Sequence, residues 1–420
     1  MDAQIGESRP HGVVQPPGSK SYTIRAVVCA ALADGRSTLE GVLDSEDSSA
    51  VKACASALGA TLRDSDTALE IEGVGSDPRS TELQCGESGA TFRFLLAIAA
   101  ARPVRTVLHC APSLARRPVR ALLSSLESLG AVCELDERTG SVSVMGTMQR
   151  GGQVSLKGGI SSQFLSGLLL SGPLYPEGLE IRLDVPTVSE RYVAMTMRCM
   201  RAFGAEVTVS EGRRHYTVSP KRYRANHYAI EADWSAAAPL LALGAISGDV
   251  TVEGLHPDSL QADVRVLSLL RSAGADVRPS GRGFRAVKAA LHKFEVHLDD
   301  AIDLLPMAGV LGAVAPGMSE LRGIQRARDK ESDRVAAMVD GLRKCSVAAQ
   351  ADVDRMTIAG GLARGGNVSS FNDHRIAMAF GVLGTATGDM MVQGAECVSK
   401  TYPHFWDDLK SLGVEVELHE

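Results

Sequence analysis

A helix that stops at glycine and hands over to a strand recurs through this chain at a nearly constant interval, and that rhythm limits the fold more than any other feature. It reads ASALGATLR, LESLGAVCEL, MRAFGAEVTV, LRSAGADVRP and LKSLGVEVEL, with the glycines at Gly59, Gly130, Gly204, Gly274 and Gly413. A sixth, degraded copy, LRKCSVAAQA, puts Ser346 where glycine would stand. Successive copies lie 71, 74, 70, 72 and 67 residues apart. Glycine just past a helix is the expected terminator, because it reaches the left-handed conformation at little cost. These intervals exceed the roughly 20–50 residues of solenoid repeats and suit small βα subdomains arranged about a pseudo-symmetry axis. Glycine after a helix is common in α/β proteins; five clean copies so evenly spaced are not.

A second piece of punctuation leads into each helix. STLEGVLDSEDS, VTVEGLHPDSLQAD, SELRGIQRARDKESD and MMVQGAECVSK each read as an alternating strand, a glycine, then a polar loop. Six units divide most naturally into two lobes of three, with the chain crossing near residues 12–20 and 228–241. Residues 20–230 are therefore expected to form one lobe, and 231–420 with 1–19 the other. Ligands favour the cleft between lobes.

Composition narrows the function. The 420 residues carry a formal charge of -6 and no long Lys or Arg run, so nothing draws the chain to nucleic acid. No charge-free apolar run of membrane-spanning length appears, and MDAQIGESRPHG lacks the apolar core of a signal peptide. The eight cysteines form no CxxC pair and the ten histidines no metal-ligand spacing. A cytoplasmic protein with reduced thiols and no metal is the expectation.

Polar clusters gather where strands feed helices. QPPGSKSYTIR places Lys20, Ser21 and Arg25 at a helix start, a site prepared for an anion. CGESGATFR offers exposed amides at Gly89 and Ala90 with Arg93 beyond them, and ARRPVRALL sets Arg116 and Arg117 before Pro118, expected as the first helical residue. GGISSQF supplies Ser161, Ser162 and Gln163. In RARDKESDR, Lys330 and Arg334 are expected on one helix face, with Glu331 near Arg334. SSFNDHRIAM gives Asn372 or Asp373 as cap, then His374 and Arg375; VSKTYPHFW gives Lys400. Lys20, Arg25, Arg93, Arg117, Lys330, Arg334, Arg375 and Lys400 are expected in equivalent loops. Brought together, they would make a strongly cationic cleft in an acidic protein, suited to a substrate with several negative charges.

In this order, PGSKSYTIRA, ESGATFR, ARRPVRALL, SSQFLSGLLLSGPL, EADWSAAAPLLA, KESDR, NDHRIAMAF and SKTYPHFW span residues 17–406. The chain thereby resembles the 5-enolpyruvylshikimate-3-phosphate synthase branch of the enolpyruvyl transferase family. The resemblance implies a two-lobed, inside-out α/β barrel of six βαβαββ repeats. It also implies transfer of the enolpyruvyl group of phosphoenolpyruvate to the 5-hydroxyl of shikimate 3-phosphate, with release of phosphate. No metal or organic cofactor is implied. A monomer is expected, with glyphosate as an inhibitor.

Carried over residue by residue, the resemblance assigns shikimate 3-phosphate to Lys20, Ser21, Arg25, Ser161, Ser162, Gln163, Ser189, Tyr192, Asp303 and Lys330. Phosphoenolpyruvate falls to Lys20, Gly89, Arg117, Gln163, Arg334, Arg375 and Lys400, with Arg93 and His374 as further candidates. Asp303 and Glu331 match the acid/base carboxylates, and Lys20 is a third catalytic candidate. The chain departs from the family's pattern at Glu87, Ser88 and Ala90 around Gly89, at Arg191, and at Arg326.

A sister enzyme acting on UDP-N-acetylglucosamine would show lysine-asparagine where Lys20-Ser21 stands, and a reactive cysteine on a loop unlike that around Cys110. A non-catalytic phosphometabolite sensor would have lost Asp303 or Glu331. A P-loop hydrolase fails because PGSKS lacks the upstream glycine.

Overall fold

The computed structural model describes residues 1–65, 67–75, 82–146 and 150–420. It divides into two compact units, Gly18–Ile230 and Met1–Pro17 with Glu231–Glu420. Each holds three four-stranded sheets among the described residues, and all six sheets share one topology.

The third repeat shows the pattern without interruption. Strand Gly152–Leu156 leads through the helix Ser162–Ser171 to Leu179–Leu183, which lies parallel to it with Val154 opposite Ile181. Parallel neighbours need such a crossover. The helix Glu190–Ala202 then leads to Val207–Val209 and His215–Val218, an antiparallel hairpin whose second strand pairs with Leu179–Leu183. Alternating burial along Leu179–Leu183 points Leu179, Ile181 and Leu183 at the helices. Three other repeats are closed from a distance, one of them by His11–Val14, which runs parallel to Asp249–Glu253. Asp2–Ile5 sits between Met390–Gln393 and Val416–His419, and His227–Ala229 runs parallel to Arg36–Glu40.

Six helices form the inner layer: Lys20–Ala31, Gly89–Ala100, Ser162–Ser171, Trp234–Ser247, Leu305–Val314 and His374–Thr387. Built from Ala, Leu, Gly and few aromatics, they pack closely. A Cβ at Gly167 would meet the Arg93 carbonyl oxygen at 2.7 Å and the Ala97 Cβ at 3.3 Å, so the helices Ser162–Ser171 and Gly89–Ala100 approach over a residue without a side chain. In the other unit the helices Trp234–Ser247, Leu305–Val314 and His374–Thr387 touch one another. None of the helices among the described residues is long and apolar enough to cross a membrane.

The outer helices end as the sequence rhythm requires. At Gly59 the amide donates to the Ser56 carbonyl and the next amide, of Ala60, to the Ala55 carbonyl. Both bonds recur at Gly130, Gly204, Gly274 and Gly413, which makes each a Schellman cap with a positive-φ residue at its turn. Ser346 keeps both bonds, donating to the Arg343 carbonyl while Val347 donates to that of Leu342, and it holds φ at 62°. A serine there bears the left-handed penalty that glycine avoids. Ser346→Gly should therefore stabilise its unit by about 0.5–1 kcal/mol, measured as a higher urea midpoint with unchanged slope; an unchanged or lower midpoint contradicts this account of the repeat.

Candidate functional site

The inner helices are buried along nearly their whole length, and their partly exposed residues gather at their starts. In five of the six, the residues left partly exposed ahead of the last turn all lie in the first: Lys20 and Ser21, Ala90, Gln163, Ser235, and Arg375. The helix Leu305–Val314 has none in its first turn, and the short 3-10 segment Asp299–Leu304 before it carries Asp303. The positive dipole ends lie at these same turns.

In the unit Gly18–Ile230, Lys20 is the first residue of its helix, and its Nζ lies 2.9 Å from Asp47 Oδ2. Asp47 occupies the first turn of the helix Glu46–Ala57, started by a capping box between Ser45 and Ser48. Arg25 is 2% exposed. Its Nε donates to Thr196 Oγ1 at 2.7 Å, and its terminal nitrogens donate to the carbonyls of Ser21 at 2.8 Å and Tyr192 at 3.2 Å. The guanidinium stacks over Phe94 at 5.1 Å. Burial lowers its pKa from the ordinary arginine value. Arg25 thus ties the Ser21 turn to the helix Glu190–Ala202, whose cap, Ser189, is held at φ 51° and ψ 48°. Left-handed backbone at a non-glycine residue stores strain of about 1–3 kcal/mol and is concentrated at ligand sites.

A second group forms around Arg93. One terminal nitrogen makes a short hydrogen bond to Gln163 Oε1 and the other donates to the Pro118 carbonyl at 3.1 Å. A Cβ placed on Gly89 would lie 3.0 Å from one Arg93 nitrogen and 3.6 Å from one of Arg117. The start of the helix Gly89–Ala100 therefore faces two guanidinium groups, an arrangement that can hold a phosphate or carboxylate. Ser161 caps the next inner helix by accepting from the Gln163 amide at 3.3 Å, and Ser162 follows it.

In the unit containing residues 231–420, the centre is Arg334, whose side chain is 1% exposed. Its Nε donates to Asp373 Oδ2 at 2.7 Å, one terminal nitrogen to Asp303 Oδ1 at 2.6 Å, and the other to Glu331 Oε2 at 2.6 Å and Asp373 Oδ1 at 3.3 Å. Three carboxylates thus take four of its five N–H donors. Asp303 Oδ1 also lies 3.2 Å from Lys330 Nζ and 3.8 Å from Arg375 Nε. Asp373 caps its helix by accepting from the Arg375 amide at 2.9 Å. Neighbouring His374 is buried, its Nδ1 3.9 Å from Asp373 Oδ1, while Lys400 Nζ donates to the Asn372 carbonyl at 2.9 Å.

Charge orders the titrations. Burial alone would raise the Asp303 pKa, but Lys330, Arg375 and Arg334 outweigh it and hold the group well below the usual carboxylate range. Asp373 is likewise lowered, burial being overcome chiefly by Arg334. Burial opposes the charge of Arg334 too, yet Asp373, Glu331 and Asp303 raise its pKa. Asp263 goes the other way, pushed up by burial to about 6 against the pull of Arg375. Asp303, Arg375 and Ser235 line a small hollow with Ala238, Pro239 and Met307.

Several sequence expectations change. Pro118 is not the first helical residue: the helix starts at Arg120 behind Val119, and Pro118 instead lends its carbonyl to Arg93. Lys330 is not on a helix, because Asp333 caps a helix that begins at Arg334; Lys330 and Arg334 still meet at one Asp303 oxygen. The basic residues do not share one kind of loop. Lys20, Arg25, Arg93, Arg334 and Arg375 are helical, Lys400 closes a 3-10 turn, and Arg117 and Lys330 lie outside helices. Nor is the cluster around Arg334 purely cationic, since Asp303, Glu331, Asp373 and Asp263 accompany Lys330, Arg334, Arg375 and Lys400. Sequence reasoning missed Asp47, Thr196 and Asp263. Asp47 looks like one more capping acid in DSEDSS, whereas Asp263, a lone acid in LQADVRVL, was the detectable signal.

The family model described as EPSP synthase (3-phosphoshikimate 1-carboxyvinyltransferase) matches residues 6–409. The chain belongs to this family. A 3-phosphoshikimate 1-carboxyvinyltransferase of Dehalococcoides mccartyi is 38% identical over 419 residues, 99% of each chain. One of Methanothermobacter thermautotrophicus is 38% identical over 429 residues, covering all of both. EPSP synthase from Acinetobacter baumannii superposes with a TM-score of 0.82 at 28% identity, over 99% of this chain and 100% of that one. The enolpyruvyl transferase NikO of Streptomyces tendae shares the fold at 18% identity, with a TM-score of 0.80 over 99% and 98% of the two chains.

Removing the arginine at the centre of the acidic group should be costly. Arg334→Met leaves three buried or half-buried carboxylates facing one another and should destabilise by about 3–5 kcal/mol, read as a lowered urea midpoint at pH 7. Because Asp303 and Asp373 titrate below an unfolded carboxyl, at about 3.9, their contribution is fully present above that pH. It is lost as pH falls through their folded values. The gap between parent and variant should therefore narrow in acid; a gap independent of pH contradicts the charge account.

Proposed function

We propose that this chain transfers the enolpyruvyl group of phosphoenolpyruvate to the 5-hydroxyl of shikimate 3-phosphate and releases inorganic phosphate. The observation that carries the reading, in a member of this family, is a pair of carboxylates, Asp303 and Glu331, bonded to one buried guanidinium and flanked by Lys330 and Arg375. Shikimate 3-phosphate is assigned to Lys20, Ser21, Arg25, Ser161, Ser162, Gln163, Ser189, Tyr192, Asp303 and Lys330. Phosphoenolpyruvate is assigned to Lys20, Gly89, Arg117, Gln163, Arg334, Arg375 and Lys400, with Arg93 and His374 in support. These residues belong to both units.

The chemistry asks for groups that give and take protons. In the addition, the 5-hydroxyl oxygen bonds to C2 of phosphoenolpyruvate and its proton passes to Asp303, while the methylene carbon C3 receives a proton from Glu331. In the collapse, the bond from C2 to the phosphate oxygen breaks and phosphate leaves carrying the proton that Asp303 took from the hydroxyl, while C3 returns a proton to Glu331, so both carboxyl groups end as they began. Lys20 offsets phosphate charge and assists proton transfer.

Ligand binding supplies the base strength that Asp303 lacks alone. Its pKa is held down by the cations around it. An anionic substrate on Lys330 and Arg375 weakens that field and lets the carboxylate accept the hydroxyl proton. Arginine and lysine also hold the charged reactants in place, which lowers the entropic part of the barrier.

The reading takes the chain to act as a monomer in the cytoplasm, where its eight free thiols suit a reducing environment, with glyphosate as an inhibitor competing for the phosphoenolpyruvate groups. Phosphate release should require both substrates together; folded protein that releases none contradicts the proposal. Asp303→Ala should abolish turnover, by about 10³-fold or more for a lost acid/base group, while binding shikimate 3-phosphate measurably in calorimetry. Turnover retained within tenfold overturns the assigned role.

A further inference from the structure

Asp263 lies in the 3-10 turn Ala262–Arg265, is 1% exposed, and belongs to none of the assignments above. One carboxylate oxygen, Oδ2, accepts a short hydrogen bond from Ser235 Oγ and stands 3.8 Å from a terminal nitrogen of Arg375. The other, Oδ1, is buried and has no hydrogen-bond partner among the described residues. A carboxylate buried with one oxygen bare is expensive to keep. The chain could have filled this space with an amide or an apolar group.

What the carboxylate faces explains its retention. Arg375 is the second residue of its helix, and its side chain is 12% exposed. One edge of its guanidinium, at Nε, lies 3.8 Å from Asp303 Oδ1, and a terminal nitrogen lies 3.8 Å from Asp263 Oδ2. Two carboxylates from two different turns thus bracket one planar cation. Asp303 is itself committed to Arg334 and Lys330, while Asp263 faces a terminal nitrogen of the same guanidinium. Ser235, partly exposed in an otherwise buried helix, orients the Asp263 oxygen and lines the same hollow as Arg375 and Asp303.

We infer that Asp263 is a positioning residue, held by Ser235, that aims the Arg375 guanidinium and thereby sets the affinity for phosphoenolpyruvate. The inference rests on the enolpyruvyl transfer proposed above. It separates affinity from chemistry: Asp263 touches neither substrate nor Asp303, so its loss loosens the grip on one substrate and leaves the proton transfers in place. It also separates this role from a structural one. The amide of asparagine fits the same space without the burial cost of a charge, so the fold gains or is indifferent while the aim of Arg375 is lost.

The test is Asp263→Asn at pH 7.5, with thermal melting and steady-state phosphate release measured for both substrates. The variant should melt at or above the parent temperature. Its KM for phosphoenolpyruvate should rise about tenfold, the scale of one charge-assisted contact, with kcat and the KM for shikimate 3-phosphate within about threefold. Ser235→Ala, which keeps the carboxylate but frees it to turn, should shift the same KM in the same direction by less, and it carries the test should the first variant fail to fold. A KM for phosphoenolpyruvate within twofold of the parent in the folded Asp263→Asn variant overturns the inference while leaving the proposed function standing. No phosphate release by the parent itself overturns both.

Discussion

An apolar helix buried on every side reaches solvent at its ends, and a charge inside it must be partnered, as Arg25 is by Thr196 and the Phe94 ring and Arg93 by Gln163 and the Pro118 carbonyl. The inner helices of this chain meet that condition: Tyr22 to Ala31, Thr91 to Ala100 and Ala236 to Ser247 are buried without a break. Their first turns present the positive ends of the helix dipoles. Lys20, Ala90, Gln163, Ser235 and Arg375 occupy those turns, where these helices are partly exposed ahead of their last turns. The outer helices return the chain through six left-handed caps, at Gly59, Gly130, Gly204, Gly274, Ser346 and Gly413, so each repeat delivers another helix start in the same way.

The second constraint is electrostatic. Bringing Lys330, Arg334 and Arg375 together without acids would strain the unit through like-charge repulsion, and bringing Asp303, Glu331 and Asp373 together without bases would do the same. Their interleaving around Arg334 resolves both, at the cost of desolvating every member. That balance has a chemical consequence. Asp303 rests as a weakly basic carboxylate, held in its charged form by Lys330, Arg375 and Arg334 against the cost of burial. Asp263, on the far side of Arg375, has no such surplus of cations, and burial moves it in the opposite direction. Two aspartates flanking one arginine thus sit in different titration regimes because they have different neighbours, the pattern expected where carboxylates have separate tasks.

Much of this was legible in the sequence. The six caps were visible as glycines at even spacing, and even the degenerate copy at Ser346 keeps its geometry. The pairing of Glu331 with Arg334 followed from their spacing, and the GSKS, SSQF, KESDR and NDHR clusters all fall at or beside helix starts. What could not be read was the partner of each charge. Asp47 beneath Lys20 and Thr196 behind Arg25 are distant in sequence from their partners and nothing local distinguishes them, whereas Asp263 behind Arg375 shows only as a lone acid in LQADVRVL, with no hint of the arginine it faces. Helix starts were misplaced by two to four residues at Pro118 and Lys330, because proline and i,i+4 spacing do not reveal where a neighbouring carbonyl or an Asp333 cap ends the preceding turn. Six repeats also leave the balance of the cluster open, since a list of cations shows the bases and not the acids folded against them.

The central claim is that protons pass to and from C3 of phosphoenolpyruvate through carboxylates anchored on Arg334. It is tested most directly by running the reaction in deuterium oxide with both substrates and following it by NMR. Protonation of C3 by a solvent-equilibrated carboxylate makes a transient methyl group, and its collapse must return either hydrogen isotope. The account predicts a product whose vinyl methylene carries deuterium, formed together with inorganic phosphate. Product with an undeuterated methylene, or phosphate released without an enol ether, would contradict it.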